Sequence, residues 1–163
     1  MLSDYFLVLA RNYPVGVFTF CFVHMAYLLR VSPSHPKSAA CIAATVAAGV
    51  VLYAIFAVWT PGVDPLLFLG GVYAALFAQN FAAHIRYCRR DTPGRLPKAN
   101  RILMLAGLML FALCDVHVLL FNLHRFLEVP QALTDWANAW IWVFYVPSQM
   151  LLALSAVRMG RAL

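Results

Sequence analysis

Two carboxylates stand where carboxylates are costly. Asp4 and Asp115 each lie inside an otherwise apolar run, whereas Asp64, Asp91, Glu128 and Asp135 fall in polar connections or at the ends of runs. An isolated ionised carboxylate among lipid tails is unfavourable by roughly several kcal/mol, so each must find a hydrogen-bonding partner, take up a proton or reach a wet cavity. Asp4 is eight residues before Asn12 and Asp115 eight before Leu123. At about 1.5 Å per residue, both come to about 12 Å from the same side. The same count brings His24, Tyr73 and Tyr145 to that level and puts Tyr27, Gln79, Asn80 and Gln149 about one turn or more deeper. His24, Tyr73, Tyr145 and Gln149 are the expected partners. Two carboxylates facing one pocket, one protonated and one ionised, would be the arrangement that acid and base work on one substrate needs.

Other constellations are weak. A carboxylate-bridged metal site wants Glu-x-x-His, which is absent, and the sole glutamate, Glu128, is in a connection. His24 and His117 form the one plausible intramembrane histidine pair for a haem, with no second pair in support. Neither a Gly-x-Ser-x-Gly elbow nor a Gly-rich phosphate loop occurs. The expectation is a chain without metal or cofactor. Plainer roles compete at each position. One Asp in a membrane helix can lock a neighbour by hydrogen bonds, and His24 can do the same. Tyr27, Tyr53, Tyr73 and Tyr145 can be packing or interfacial aromatics. His84 and His124, near helix ends, and His35, in a loop, are expected to be solvated.

The elements that position these groups are transmembrane helices. Of 163 residues, 64% are hydrophobic and 11% charged, with mean hydropathy +0.80, against about 45–50% apolar and 25% charged in soluble domains. That excludes a water-soluble globule. Five apolar runs cover 15–29, 38–59, 65–87, 102–123 and 136–157, separated by Pro-, Gly- or charge-bearing connections. The first stretch, 1–10, also reads as apolar helix, but ten residues rise only about 15 Å, half of a hydrocarbon core. It lacks the basic start of a signal peptide. The fold expected is an all-α polytopic bundle forming one transmembrane domain over 1–163, with five full helices, an N-terminal half-span and further helices upstream.

Lys and Arg divide ten to two between the two sides, with Arg11 and Arg125 on the poorer one. By the positive-inside rule, the C-terminus and the loop from Arg86 to Arg101 face the cytoplasm. The charge of +6 thus reports topology, and no nucleic-acid partner is expected, since the basic residues flank apolar runs and line no single polar face. Cys21, Cys41, Cys88 and Cys114 include no Cys-x-x-Cys pair, which argues against a disulfide framework or a zinc site.

The residues also carry a resemblance. MLFALCDVHVLLFNL at 109–123 followed by WIWVFYVPSQMLLAL at 140–154 resembles the last two helices of the YhhN-like, lysoplasmalogenase family. Upstream, LSDYFLVL and FTFCFVHMAYLL resemble its earlier acidic helix and the His/Tyr helix that follows. The likeness rests mainly on the Asp4 and Asp115 blocks, on His24 with Tyr27, and on Tyr145 with Gln149. This chain has Ser3 and Cys114 where the family usually has Gly and Ser ahead of the two acids.

The resemblance implies a membrane hydrolase that cleaves the vinyl ether bond of lysoplasmalogens, with a lipid substrate and with Asp4 and Asp115 as its functional carboxylates. His24, Tyr27, Tyr73, Tyr145 and Gln149 would bind substrate or support the acids. Two other readings stay open on the residues: a proton-linked transporter or lipid-binding membrane protein, which Gly70-Gly71 and Pro147 would suit if they break their helices, and a structural subunit. Oligomeric state is not legible in the chain.

Overall fold

The computed structural model describes residues 12–32, 35–60, 62–89, 96–125 and 127–157. Among them there is no strand. Five α-helices follow one another: α1 (Tyr13–Val31), α2 (His35–Trp59), α3 (Pro65–Cys88), α4 (Lys98–Asn122) and α5 (Gln131–Leu154). All five are long and apolar enough to cross a membrane. This is a multi-pass helical membrane protein. The half-span at 1–10 lies outside the described residues.

Helices begin where backbone chemistry allows, and so they overrun the apolar runs. α1 starts at Tyr13 because the Asn12 side chain accepts the Val15 N–H at 3.3 Å and Pro14 occupies the first turn. α2 takes in His35, expected in a loop, and α5 begins directly after Pro130, so Thr134 and Asp135 are helical. At the other end α5 stops at Leu154, three residues early, where the Ser155 hydroxyl donates to the Leu152 carbonyl at 2.6 Å. Gly70-Gly71 and Pro147 do not break their helices: α3 and α5 run on through them.

Contacts divide the chain between Ala83 and His84 into two compact units. In the first, α2 and α3 run antiparallel, since Gln79 meets Thr45 and Cys41 at one end and Phe68 meets Tyr53 and Phe56 at the other. Midway, Gly49 lies against Val72 so closely that a Cβ would collide with it. By contrast, α1 and α3 are parallel: Phe20 meets Tyr73, and four residues along both helices His24 meets Phe77. The alternation of direction that successive membrane crossings require is therefore present.

The second unit is built on α4 and α5. Their facing stripes carry small residues, Gly107 on one and Ala137, Ser148 and Ser155 on the other, all buried. Among lipid tails no hydrophobic driving force pairs helices, so close backbone approach and hydrogen bonds do so. Asn100, fully buried, donates from Nδ2 to the Ser155 carbonyl at 3.0 Å and the Val157 carbonyl at 2.5 Å, satisfying orphan carbonyls beyond α5. Replacing Asn100 by Leu is expected to lower stability by about 1–3 kcal/mol, the penalty of stranding buried carbonyls, read as a lower melting temperature in detergent. Asn100→Asp, which sets oxygens against those carbonyls, is expected to cost at least as much.

Arg101 is not simply a solvated topology signal. It is buried, its guanidinium 5.0 Å from the Tyr87 ring centroid, with Nε donating to the Leu96 carbonyl at 3.0 Å. The Tyr87 hydroxyl accepts the Leu96 N–H at 3.1 Å and the Cys88 thiol donates to the Arg101 carbonyl at 3.3 Å. This cluster ties the end of α3 to the start of α4.

Candidate functional site

In the first unit the polar groups gather on the side of α1 that faces α3. Gly16, Cys21, His24, Leu28 and Val31 are the buried residues of α1, spaced at three to five residues. His24 is 3% exposed. Its ring lies 5.2 Å from that of Tyr73 and 5.0 Å from that of Phe77, the latter edge-on at 90°. Asn80, completely buried, reaches it with Nδ2 at 3.2 Å from His24 Nδ1. Residues 73, 77, 80 and 84 follow at helical spacing, so Tyr73, Phe77, Asn80 and His84 form one polar-aromatic stripe along α3.

His24 and Tyr73, placed at one level by residue count, are thus in ring contact, and one expectation needs correction. Asn80, about one turn deeper as expected, is also a direct partner of His24. Counting from the true helix starts explains it: His24 is eleven residues from Tyr13 and Phe77 twelve from Pro65, so both stand about 17 Å in, between Tyr73 and Asn80. His84, expected to be solvated near a helix end, is fully buried. His124 is exposed, as expected. Asn80 could have been found in the sequence from the stripe itself, an amide and a histidine in phase with two aromatics.

A second polar link sits beside this one. Gln79 donates from Nε2 to Thr45 Oγ1 at 2.6 Å and accepts from Cys41 Sγ at 3.3 Å, which joins α3 to one face of α2. Tyr27 is half-buried on α1, three residues beyond His24.

In the second unit Asp115 lies on α4, half-buried, at the flank of the packed face that Met104, Leu108, Phe111, Cys114 and His117 bury. Phe111, one turn earlier on the same side, contacts Tyr145 of α5 at a centroid separation of 6.1 Å. Tyr145 therefore stands within about a turn of the carboxylate's level. Gln149 is half-buried one turn further along α5, and Ser148 beside it donates to the Tyr145 carbonyl at 2.6 Å. His117 points elsewhere: its Nδ1 engages the Leu113 carbonyl at 2.7 Å, and its ring packs on Trp136 and Phe144, each at 5.1 Å. That agrees with its two-residue offset from Asp115, which puts the pair on different faces.

Asp4 lies outside the described residues. Among the described residues no group of three His, Cys, Asp or Glu side chains gathers in a way that could hold a metal ion. The chemistry offered by the described residues is therefore that of a membrane carboxylate near a tyrosine, together with a histidine braced by an amide and two aromatic rings.

Comparison with curated proteins and with solved structures gives no match. Comparison with protein families matches the YhhN family over residues 1–156, nearly the whole length. Asp4, Asp115, His24 with Tyr27 and the Tyr145–Gln149 stretch all fall inside that match, and the chain belongs to the YhhN family.

Proposed function

We propose that this protein is a lysoplasmalogenase-type hydrolase, which adds water across the vinyl ether bond of a lysolipid and releases a fatty aldehyde and a glycerophospho-headgroup. The observation that carries the reading is the family match over residues 1–156, with Asp4 and Asp115 inside it. Half-burial of Asp115 in a membrane-spanning helix supports it, because an acid kept among apolar helices needs a use.

The reaction asks for one acid and one base. A protonated carboxyl gives its proton to the alkene carbon remote from oxygen, and the carbon attached to oxygen becomes an oxocarbenium. Water adds there while the other carboxylate takes its proton, giving a hemiacetal. The hemiacetal then collapses: its hydroxyl proton leaves, the glycerol oxygen is protonated, and the aldehyde departs. Asp4 and Asp115 fill these two roles. His24, Tyr27, Tyr73, Tyr145 and Gln149 bind substrate or support the acids by hydrogen bonding. A membrane location suits the substrate, whose chain stays among apolar helices while its headgroup remains at the interface. The ten-to-two division of Lys and Arg supports an orientation with the C-terminus and the Arg86 to Arg101 segment toward the cytoplasm.

Purified protein in lipid nanodiscs is expected to release aldehyde from a vinyl ether lysolipid and to leave unchanged the saturated alkyl ether of the same chain and headgroup, which has no alkene to protonate. Equal turnover of both, or of neither, contradicts the assignment. Transport through broken helices, the main rival, finds no support in α3 and α5, which are continuous at Gly70-Gly71 and Pro147.

A further inference from the structure

Asn80 does more than fill space against His24. The atom it presents to His24 Nδ1, at 3.2 Å, is its amide nitrogen Nδ2, which has hydrogens to donate and no lone pair to accept with. The ring nitrogen facing it must therefore offer its own lone pair, and the imidazole proton must sit on Nε2. An Nδ1–H ring would set N–H against N–H. The ring is held in that orientation from the sides as well, by Tyr73 at 5.2 Å and 64° and by Phe77 at 5.0 Å and 90°. With His24 3% exposed and Asn80 at 0%, bulk water does not compete for the contact.

We propose that Asn80 is a positioning residue that holds the His24 imidazole as its Nε2–H tautomer, so that His24 serves as a hydrogen-bond donor and the base of hydrolysis is a carboxylate. The last clause rests on the proposed hydrolysis; the tautomer does not. In that reaction the ring would offer an N–H, which can donate to an oxygen but cannot take a proton from it.

The test is nitrogen NMR of the full chain in nanodiscs, labelled with 15N-histidine, with the His24 ring signals assigned by their loss in His24→Gln. The wild type is expected to show an unprotonated Nδ1 and a protonated Nε2. Asn80→Asp, whose carboxylate can only accept, is expected to move the proton to Nδ1 and to lower aldehyde release about tenfold, the worth of about one hydrogen bond. A wild-type proton on Nδ1, as would follow if the Asn80 amide were turned with its oxygen toward the ring, overturns the inference without any variant having to fold. So does a tautomer that Asn80→Asp leaves unmoved. Aldehyde release from the same samples separates the two ideas. Aldehyde with a proton on Nδ1 overturns the tautomer and keeps the hydrolase, whereas Nε2–H without aldehyde keeps the tautomer and overturns the hydrolase.

Discussion

Asp115→Asn is expected to lower aldehyde release by about 10²- to 10⁴-fold, the usual contribution of a positioned acid or base, while the protein melts within a degree or two of the wild type. Asn matches Asp in shape and can still hydrogen-bond, but it neither delivers nor accepts a proton at catalytic cost. Asp115 sits half-buried at the flank of the α4 face that packs, whereas Phe111, Cys114 and His117 are buried in it. The double readout separates catalysis from assembly: lost turnover with an unchanged melting point marks chemistry, whereas a fall in both marks a structural acid. The same substitution at Asp4 is expected to act in the same way if it supplies the other half of the proton traffic. Asp115→Glu, which keeps the titratable group but moves it by a methylene, is expected to fall between wild type and Asn.

The largest effect on stability is expected at Gly107. A Cβ there would stand 2.9 Å from Leu152 Cγ, 3.1 Å from Leu152 Cδ2 and 3.2 Å from the Leu152 backbone nitrogen. The first two neighbours belong to a side chain that can shift; the third is backbone and cannot move without displacing α5. Gly107→Ala is therefore expected to destabilise the α4–α5 pair, and Gly107→Leu to do so by about 1–3 kcal/mol or more, through overpacking of a filled interface. Thermal unfolding in detergent reads the loss. Leu152→Ala combined with Gly107→Ala should recover part of it, because the side-chain clash is relieved, and the recovery in that double-mutant cycle measures how much of the strain lay in the Leu152 side chain. No recovery would place all of it in the backbone contact.

The fold was legible because a bilayer leaves few choices. Runs of about 20 apolar residues must be helices, since only a helix satisfies its own backbone in hydrocarbon, and the five runs appear as five helices. Their ends were less legible, because helices stop at caps and not where hydropathy stops. Asn12 and Pro14 start α1 ahead of its apolar run, and Pro130 starts α5 within a polar connection. That small error carried over when residue counts were turned into depths, placing Asn80 six residues deeper than His24 where helix starts at Tyr13 and Pro65 leave four. Periodicity was the better guide for α3, where 73, 77, 80 and 84 share a face whatever the helix start. The buried roles of Asn100 and Arg101 were hidden for another reason. Each depends on a carbonyl contributed by a residue far along the chain or across a turn, Ser155 and Val157 for the first and Leu96 for the second, and no local pattern announces such a pairing. Of the site, His24 with Tyr73 was readable from residue types and level. The level shared by Asp115 and Tyr145 was readable from the residue count, but the Phe111–Tyr145 contact that joins α4 to α5 there was not.

The central claim is that the reaction runs by protonation of the alkene carbon, and isotope incorporation tests it most directly. Purified protein is given a vinyl ether lysolipid in D2O, the aldehyde is reduced to the alcohol as it forms, and its deuterium content is read by mass spectrometry. Protonation of the alkene predicts one solvent deuteron on the carbon next to the former carbonyl and none elsewhere on the chain. Aldehyde that carries no deuterium at that carbon, or lipid cleaved at another bond with the alkene intact, would contradict it.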